Sequence, residues 1–108
     1  MINPRAYEGK VVIVTGAGRG IGQGVAQAYA ARGAQVVLAE LKEDLGSSAE
    51  RIITKQGAKA LFVPTDVRDP EQIIALMKTV QERFGTVDVL INNAGISSFG
   101  SPYEITVE

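Results

Sequence analysis

The sequence predicts an α/β protein in which helices cover both faces of a parallel sheet. Four short aliphatic segments alternate with three segments of helical periodicity, the pattern of consecutive βαβ units. The strand segments are almost unbroken runs of apolar residues, which is typical of strands that are covered on both sides. A glycine-rich turn at residues 15–22 joins the first strand to the first helix, and exposes backbone N–H groups to an anion.

Short segments rich in β-branched and aliphatic residues predict the strands. We predict them at Val11–Thr15, Gln35–Ala39, Ala60–Pro64 and Val87–Ile91. The first helix is expected from about Gly20 to Arg32, with Ile21, Val25 and Tyr29 on one face and Gly33 as its C-terminal stop.

The second helix is expected from about Leu41 to Gln56, before Gly57. Its apolar stripe contains Leu45, Ala49, Ile52 and Ile53. The third helix has the strongest signals, since Asp69 can cap it, Pro70 suits its first position and Gly85 ends it. Its apolar residues at helical spacing are Ile73, Leu76, Met77, Val80 and Phe84.

We interpret residues 1–108 as one domain with strands in the spatial order 3-2-1-4. Four strands make about half of a doubly wound sheet, which contains six or more in two halves. The fourth strand is then expected to have a bare apolar edge, which is an association hazard. The chain is therefore predicted to be the N-terminal half of a longer protein, truncated after the fourth strand, or a protein completed by homo-oligomerisation.

The charge and composition of the chain exclude several classes of function. The formal net charge is −1, so no basic field is available for nucleic acid or anionic lipid. The longest apolar run, residues 73–77, is far too short to span a membrane, and no secretory leader is visible. The chain has no cysteine and no histidine, so neither disulfides nor the usual zinc sites are expected. We expect a cytoplasmic protein without a metal site.

The glycine turn carries a family resemblance. Gly16, Gly20 and Gly22 follow the pattern G-x-x-x-G-x-G, and residues 15–22 resemble the T-G-x-x-x-G-[I/L]-G motif of the classical short-chain dehydrogenase/reductase family. Residues 92–95 are similar to the N-N-A-G motif of that family, and Asp66-Val67 and Gly9-Lys10 stand where the family has them. The resemblance covers almost the whole chain and implies a Rossmann-type fold, of which this chain is the cofactor-binding half.

The turn would hold the pyrophosphate of a dinucleotide. The residues predicted to do so are Gly16, Gly18, Arg19, Gly20, Ile21 and Gly22. Glu40, at the end of the second strand, would accept hydrogen bonds from the adenosine ribose and repel a 2′-phosphate. NAD is therefore predicted over NADP, because a tenfold preference takes only about 1.4 kcal/mol. Arg19 favours NADP instead, since a basic residue at this position often accompanies NADP use in the family. Glu40 also has a simpler interpretation, as a solvated residue at the end of a strand.

The remaining site residues follow from the resemblance. Asp66 and Val67 would line an adenine pocket, the carboxylate accepting from the exocyclic amine. Asn93, Ala94 and Gly95 would approach the adenosine ribose, whereas Asn92 would fasten neighbouring backbone.

Catalytic residues of the family are not expected in this chain. The family uses a serine, a Tyr-x-x-x-Lys pair and a further asparagine, all C-terminal to N-N-A-G. The positions four residues after the three tyrosines are occupied by Val11, Gly33 and Val107, so no such pair is present. The chain alone is thus expected to bind its cofactor without catalysing a reaction.

The resemblance implies an NAD(P)-dependent oxidoreductase that interconverts a small carbonyl compound and an alcohol. The 3-oxoacyl reductase and the sugar or alcohol dehydrogenase types both fit. The alternative is a nucleotide-binding module or scaffold without catalysis.

Overall fold

The computed structural model describes residues 5–93 and the backbone of residues 103–106. Three helices and five strands lie within these residues. In chain order they are β1 (Val11–Thr15), α1 (Gly20–Ala31), β2 (Gln35–Glu40), α2 (Glu43–Lys55), β3 (Lys59–Pro64), α3 (Pro70–Phe84), β4 (Val89–Asn92) and β5 (Tyr103–Thr106). No helix in the described part of the chain combines the length and the apolar content needed to cross a bilayer.

The strands form one sheet in the order β3-β2-β1-β4-β5. The first four are parallel, with Ile13 of β1 opposite Val37 of β2 on one side and Leu90 of β4 on the other. The predicted fold class and the order 3-2-1-4 are therefore confirmed. β1 lies between β2 and β4, so three strand ends meet around the turn that follows β1.

The expected bare edge on β4 was wrong. β5 pairs antiparallel with β4, with Asn92 opposite Tyr103 and Val89 opposite Thr106. An exposed strand edge presents unpaired N–H and C=O groups, and β5 supplies partners for them. The sequence signal was missed because Thr106 resembled a helix cap, whereas its backbone belongs to the strand.

Alternating residues of the central strands supply two apolar layers. Val12 and Val14 of β1 point towards α1 and α2, and Val11 and Ile13 point towards α3. In β2, Val36 and Leu38 share the first layer, and Val37 and Ala39 share the second. The period of two residues along a strand separates them. All of these side chains are at most 4% exposed, so β1 and β2 form the centre of the core.

The buried face of α1 differs from the predicted one. The residues that face the sheet are Gly22, Ala26 and Ala30, whereas Ile21 is 57% exposed and Val25 and Tyr29 are half-buried. Small residues allow the helix axis to approach the sheet closely, so the larger apolar side chains lie at the margins of the contact. In α2 the buried residues are Gly46, Ala49 and Ile53, and Ile52 of the predicted stripe is 37% exposed.

The predicted ends of α3 agree with the structure. Asp69 Oδ1 accepts a hydrogen bond from the Glu71 N–H at 3.0 Å, and Pro70 occupies the first turn. Gly85, with φ of 80°, ends the helix in the left-handed conformation. Leu76 and Val80 are buried against the sheet. The other three predicted apolar residues of α3 are half-buried, namely Ile73, Met77 and Phe84.

Candidate functional site

The turn between β1 and α1 lies at the carboxyl edge of the sheet. Gly16 and Gly20 both have φ of 61°, a left-handed conformation that favours glycine. These two residues bend the chain sharply from the strand into the helix. In open α/β sheets this edge is where ligands bind.

The start of α1 is open to an anion. Arg19 is its N-cap residue, yet no side chain of the described residues caps the first turn, and the first turn contains no acidic residue. α3, by contrast, has its N-terminal N–H groups partly satisfied by Asp69. The first-turn N–H groups of α1 and the positive end of its dipole therefore remain available for a negatively charged group.

At two other positions of the turn, 18 and 22, the surrounding atoms leave no room for a side chain. A Cβ on Gly22 would lie 2.2 Å from the Gly16 carbonyl oxygen and 2.5 Å from Asn93 Nδ2. A Cβ on Gly18 would lie 2.6 Å from Leu45 Cβ and 2.7 Å from Glu40 Oε1. The turn is thus packed tightly on two sides, by the end of β4 and by the end of β2.

Glu40 is 9% exposed and its carboxylate is bound on both oxygens. Oε1 accepts a hydrogen bond from the Gly18 N–H at 2.9 Å, and Oε2 accepts one from the Lys42 N–H at 3.0 Å. Lys42 is extended, and α2 consequently begins at Glu43 rather than at Leu41 as predicted. The solvated strand end that was the alternative for Glu40 does not describe this carboxylate, which lies against the glycine turn.

The end of β4 holds the turn from the other side. The Asn93 N–H donates to Thr15 Oγ1 at 2.9 Å, and Asn93 Nδ2 donates to the Gly16 carbonyl at 3.2 Å. Asn92 was expected to fasten backbone, but its Oδ1 lies 3.3 Å from the Thr15 hydroxyl, from which it accepts. Among the described contacts, Asn93 is therefore the asparagine whose side chain binds neighbouring backbone.

A cleft of about 280 Å³ opens beside Glu40 at the same edge. Its lining residues are Gly16, Ala39, Glu40, Leu41, Thr65, Asp66, Val67 and Arg68. Four of the residues predicted from the sequence are thus brought together: Gly16, Glu40, Asp66 and Val67. Leu41, 53% exposed, contributes an apolar wall, and the sequence signal for it is its position directly after the strand-end carboxylate of Glu40.

Arg68 is a cleft residue that the sequence analysis missed. Its Nε donates to Asp66 Oδ1 and its Nη2 donates to Asp66 Oδ2, both at 2.9 Å. The side-chain hydrogen bonds from Arg68 lower the pKa of Asp66 from 3.8 to about 2, and the Asp66 carboxylate raises the pKa of Arg68. Asp66 is therefore ionised throughout the neutral range and acts only as an acceptor.

The other predicted site residues are distributed around the turn. Arg19, Gly20 and Ile21 are exposed at the start of α1, where a ligand can reach them. Ala94 and Gly95 lie outside the described residues, so the contacts predicted for them remain predictions.

A larger cleft, of about 680 Å³, lies at the opposite edge of the sheet. Its walls include residues after the carboxyl ends of α1 and α2, among them Gly33, Ala34, Gln56 and Gly57. Helix carboxyl ends present carbonyl oxygens and the negative end of the dipole, which disfavours a phosphate. The smaller cleft beside the glycine turn is therefore the candidate site.

The fold and the site together define an α/β protein with a candidate anion site at its first βα turn. The sequence matches the short chain dehydrogenase family over residues 10–108, and the chain belongs to this family. Proteins of this family bind nicotinamide dinucleotides.

Named relatives are oxidoreductases. Trans-4-hydroxycyclohexanecarboxylate dehydrogenase of Sinomonas cyclohexanicum is 46% identical over 105 residues, covering 92% of this chain and 40% of that protein. The citronellol catabolism dehydrogenase AtuB of Pseudomonas aeruginosa PAO1 superposes with a TM-score of 0.85 at 34% identity, covering 94% of this chain and 42% of that one. An NAD⁺-bound xylitol dehydrogenase superposes with a TM-score of 0.80 at 34% identity, covering 84% and 35%. The chain thus spans about two fifths of the length of these relatives.

Proposed function

We propose that this chain binds the adenosine and pyrophosphate portion of NAD. The observation that carries the proposal is the uncapped start of α1, which lies beside the Glu40 carboxylate at the carboxyl edge of the sheet. The pyrophosphate would accept from the N–H groups of the glycine turn and of the first turn of α1. The residues assigned to it are Gly16, Gly18, Arg19, Gly20, Ile21 and Gly22.

The adenosine would occupy the cleft beside Glu40. Asp66 would accept from the exocyclic amine of adenine, and the Val67 backbone would contact the ring. Asn93, Ala94 and Gly95 would approach the ribose. The apolar wall of Leu41 and the polar groups of Asp66 form the mixture of surfaces that small-molecule sites use.

Glu40 supports NAD over NADP. Its carboxylate would accept from the ribose hydroxyls, using the lone pairs that its backbone partners leave, and would repel a 2′-phosphate. Arg19, exposed at the start of α1, is the group that would favour NADP. We assign NAD because Glu40 occupies the end of β2, where the adenosine ribose would bind.

In a complete protein, this segment would supply the cofactor half of an oxidoreductase that interconverts a carbonyl compound and an alcohol. When bound, the nicotinamide supplies or accepts the hydride. The chain itself carries no Tyr-x-x-x-Lys pair, so we assign it binding and no catalytic residue. We also propose that copies of the chain associate with one another and that the protein is located in the cytoplasm.

Isothermal titration calorimetry with NAD and NADP tests the assignment. We expect NAD to bind at least tenfold more tightly than NADP, and Glu40→Ala to reduce that ratio towards one. Glu43→Ala, which removes an exposed carboxylate three residues away, is the matched control and should leave the ratio unchanged. Equal affinity for the two dinucleotides would contradict the NAD assignment, and no binding of either would contradict the function.

A further inference from the structure

We infer that Glu40 positions the glycine turn before any ligand binds, and so determines affinity for the pyrophosphate as well as for the ribose. The inference rests on the proposed function only where it concerns ligand affinity. Its basis is the Glu40 bridge, which we define as the two hydrogen bonds that the carboxylate accepts from the Gly18 and Lys42 N–H groups.

The bridge joins two loops that are separate in sequence. Gly18 belongs to the turn between β1 and α1, and Lys42 belongs to the connection between β2 and α2. The bond to Gly18 spans 22 residues, whereas the bond to Lys42 spans two. One side chain therefore holds the two loops that border the cleft at a fixed separation.

Burial makes the bridge a strong constraint. Glu40 is 9% exposed, and its bond to Gly18 is buried. A hydrogen bond to an ionised acceptor is stronger than one between neutral groups, and an N–H group left buried without a partner is costly. Removing the carboxylate would therefore free the Gly18 N–H and loosen the turn.

Gly18 is fitted to the same contact. Its φ lies outside the left-handed region, so its backbone conformation does not itself demand glycine. A Cβ there would meet Glu40 Oε1 at 2.7 Å and Glu40 Cγ at 2.9 Å. The absence of a side chain at position 18 is what allows the carboxylate to reach the backbone.

The role of Glu40 at the ribose and the inferred role at the turn predict different affinities for a ligand that lacks ribose hydroxyls. If Glu40 acts only on the ribose, its removal costs nothing against such a ligand. If the bridge orders the turn, its removal weakens every ligand that places a diphosphate there. ADP and 2′,3′-dideoxyadenosine 5′-diphosphate are the two probes that make this comparison.

The binding experiment uses the full chain and its Glu40→Gln variant, which keeps the volume but can accept only one of the two N–H groups. We expect this variant to lose about tenfold in affinity for both diphosphates, with Glu43→Gln as the unaffected control. A loss confined to ADP, with unchanged affinity for the dideoxy compound, would overturn the inference.

Amide hydrogen exchange in the ligand-free chain provides an independent measurement. We expect exchange at Gly18 or Lys42 to become at least tenfold faster in Glu40→Gln, while the amide of Ile13 in the core stays protected. Unchanged exchange at both amides would overturn the inference even if binding were weaker. If the unaltered chain binds neither diphosphate, the proposed function fails, and the exchange measurement still decides whether the bridge orders the turn.

Discussion

Replacement of Gly22 by alanine tests whether the turn is packed as tightly as the structure indicates. Gly24, two residues further along α1, is the matched control because both are helical glycines and a Cβ on Gly24 would meet nothing within 4 Å. On Gly22 the same atom would lie 2.2 Å from the Gly16 carbonyl oxygen and 2.5 Å from Asn93 Nδ2. The two variants therefore share the change in backbone entropy and differ in sterics.

The magnitudes follow from these contacts. Alanine in place of glycine in a helix stabilises by about 0.5–1 kcal/mol, so Gly24→Ala should raise the free energy of unfolding by roughly that amount. For Gly22→Ala the same gain is opposed by an overpacking cost of about 1–3 kcal/mol. Displacement of the Asn93–Gly16 hydrogen bond costs about 0.5–1.5 kcal/mol more. We expect Gly22→Ala to be destabilised by about 0.5–4 kcal/mol.

Urea unfolding measures both variants against the unaltered chain, and similar m-values would show that the denatured states are comparable. Calorimetry with ADP is the second assay, because a displaced Gly16 carbonyl changes the turn that is proposed to hold the diphosphate. We expect Gly22→Ala to lose affinity and Gly24→Ala to keep it. If Gly22→Ala is as stable as Gly24→Ala and binds ADP equally well, the close approach of α1, β1 and β4 is wrong.

The remaining predictions concern the cleft and the core. Asp66 should titrate near pH 2 by side-chain ¹³C NMR, and its pKa should return towards 3.8 in Arg68→Gln; a midpoint near 3.8 in the unaltered chain would contradict the ion pair. Because the folded-state pKa is the lower one, the pair favours folding above about pH 3.8, and that contribution is lost as the pH falls through about 2. Ile53→Ala, at a fully buried site, should lower the free energy of unfolding by about 2–5 kcal/mol. Ile74→Ala, at a position 67% exposed, should change it by less than about 0.5 kcal/mol, and equal effects of the two would contradict the assigned core.

The elements with strong local signals could be predicted from the sequence. β1 has the predicted bounds, and α3 begins and ends as predicted because Asp69, Pro70 and Gly85 act through local backbone geometry. The order 3-2-1-4 was also predicted correctly, because it is the order of the first half of a doubly wound, Rossmann-type sheet.

The buried face of α1 could not be read from apolar periodicity. Periodicity favours the largest apolar residues, here Ile21, Val25 and Tyr29, whereas close helix–sheet packing selects the smallest. Gly22, Ala26 and Ala30 recur every four residues, and this spacing of small residues was the available signal.

Within the candidate site, residue types were predictable but their contacts were not. The sequence indicated Glu40 and Asp66 as acceptors for a ligand, and the structure gives each a protein partner: the bridge for Glu40, and Arg68 for Asp66. The bond from Gly18 to Glu40 depends on the separation of two loops in space, whereas Arg68 lies only two residues from Asp66. Arg68 was missed because an exposed arginine in a loop has no sequence feature that distinguishes it from a solvated one.

The position of β1 explains why the glycine turn is held so firmly. β1 lies between β2 and β4, so the turn that follows it is reached by Glu40 from one side and by Asn93 from the other. Gly18 and Gly22 are the residues that these two side chains approach, and each lacks the Cβ that would prevent it. The glycines at 16 and 20 bend the chain, and those at 18 and 22 admit the neighbouring strand ends. A sheet in which β1 stood at an edge would lose one of these two supports, so the strand order is itself a requirement of the site.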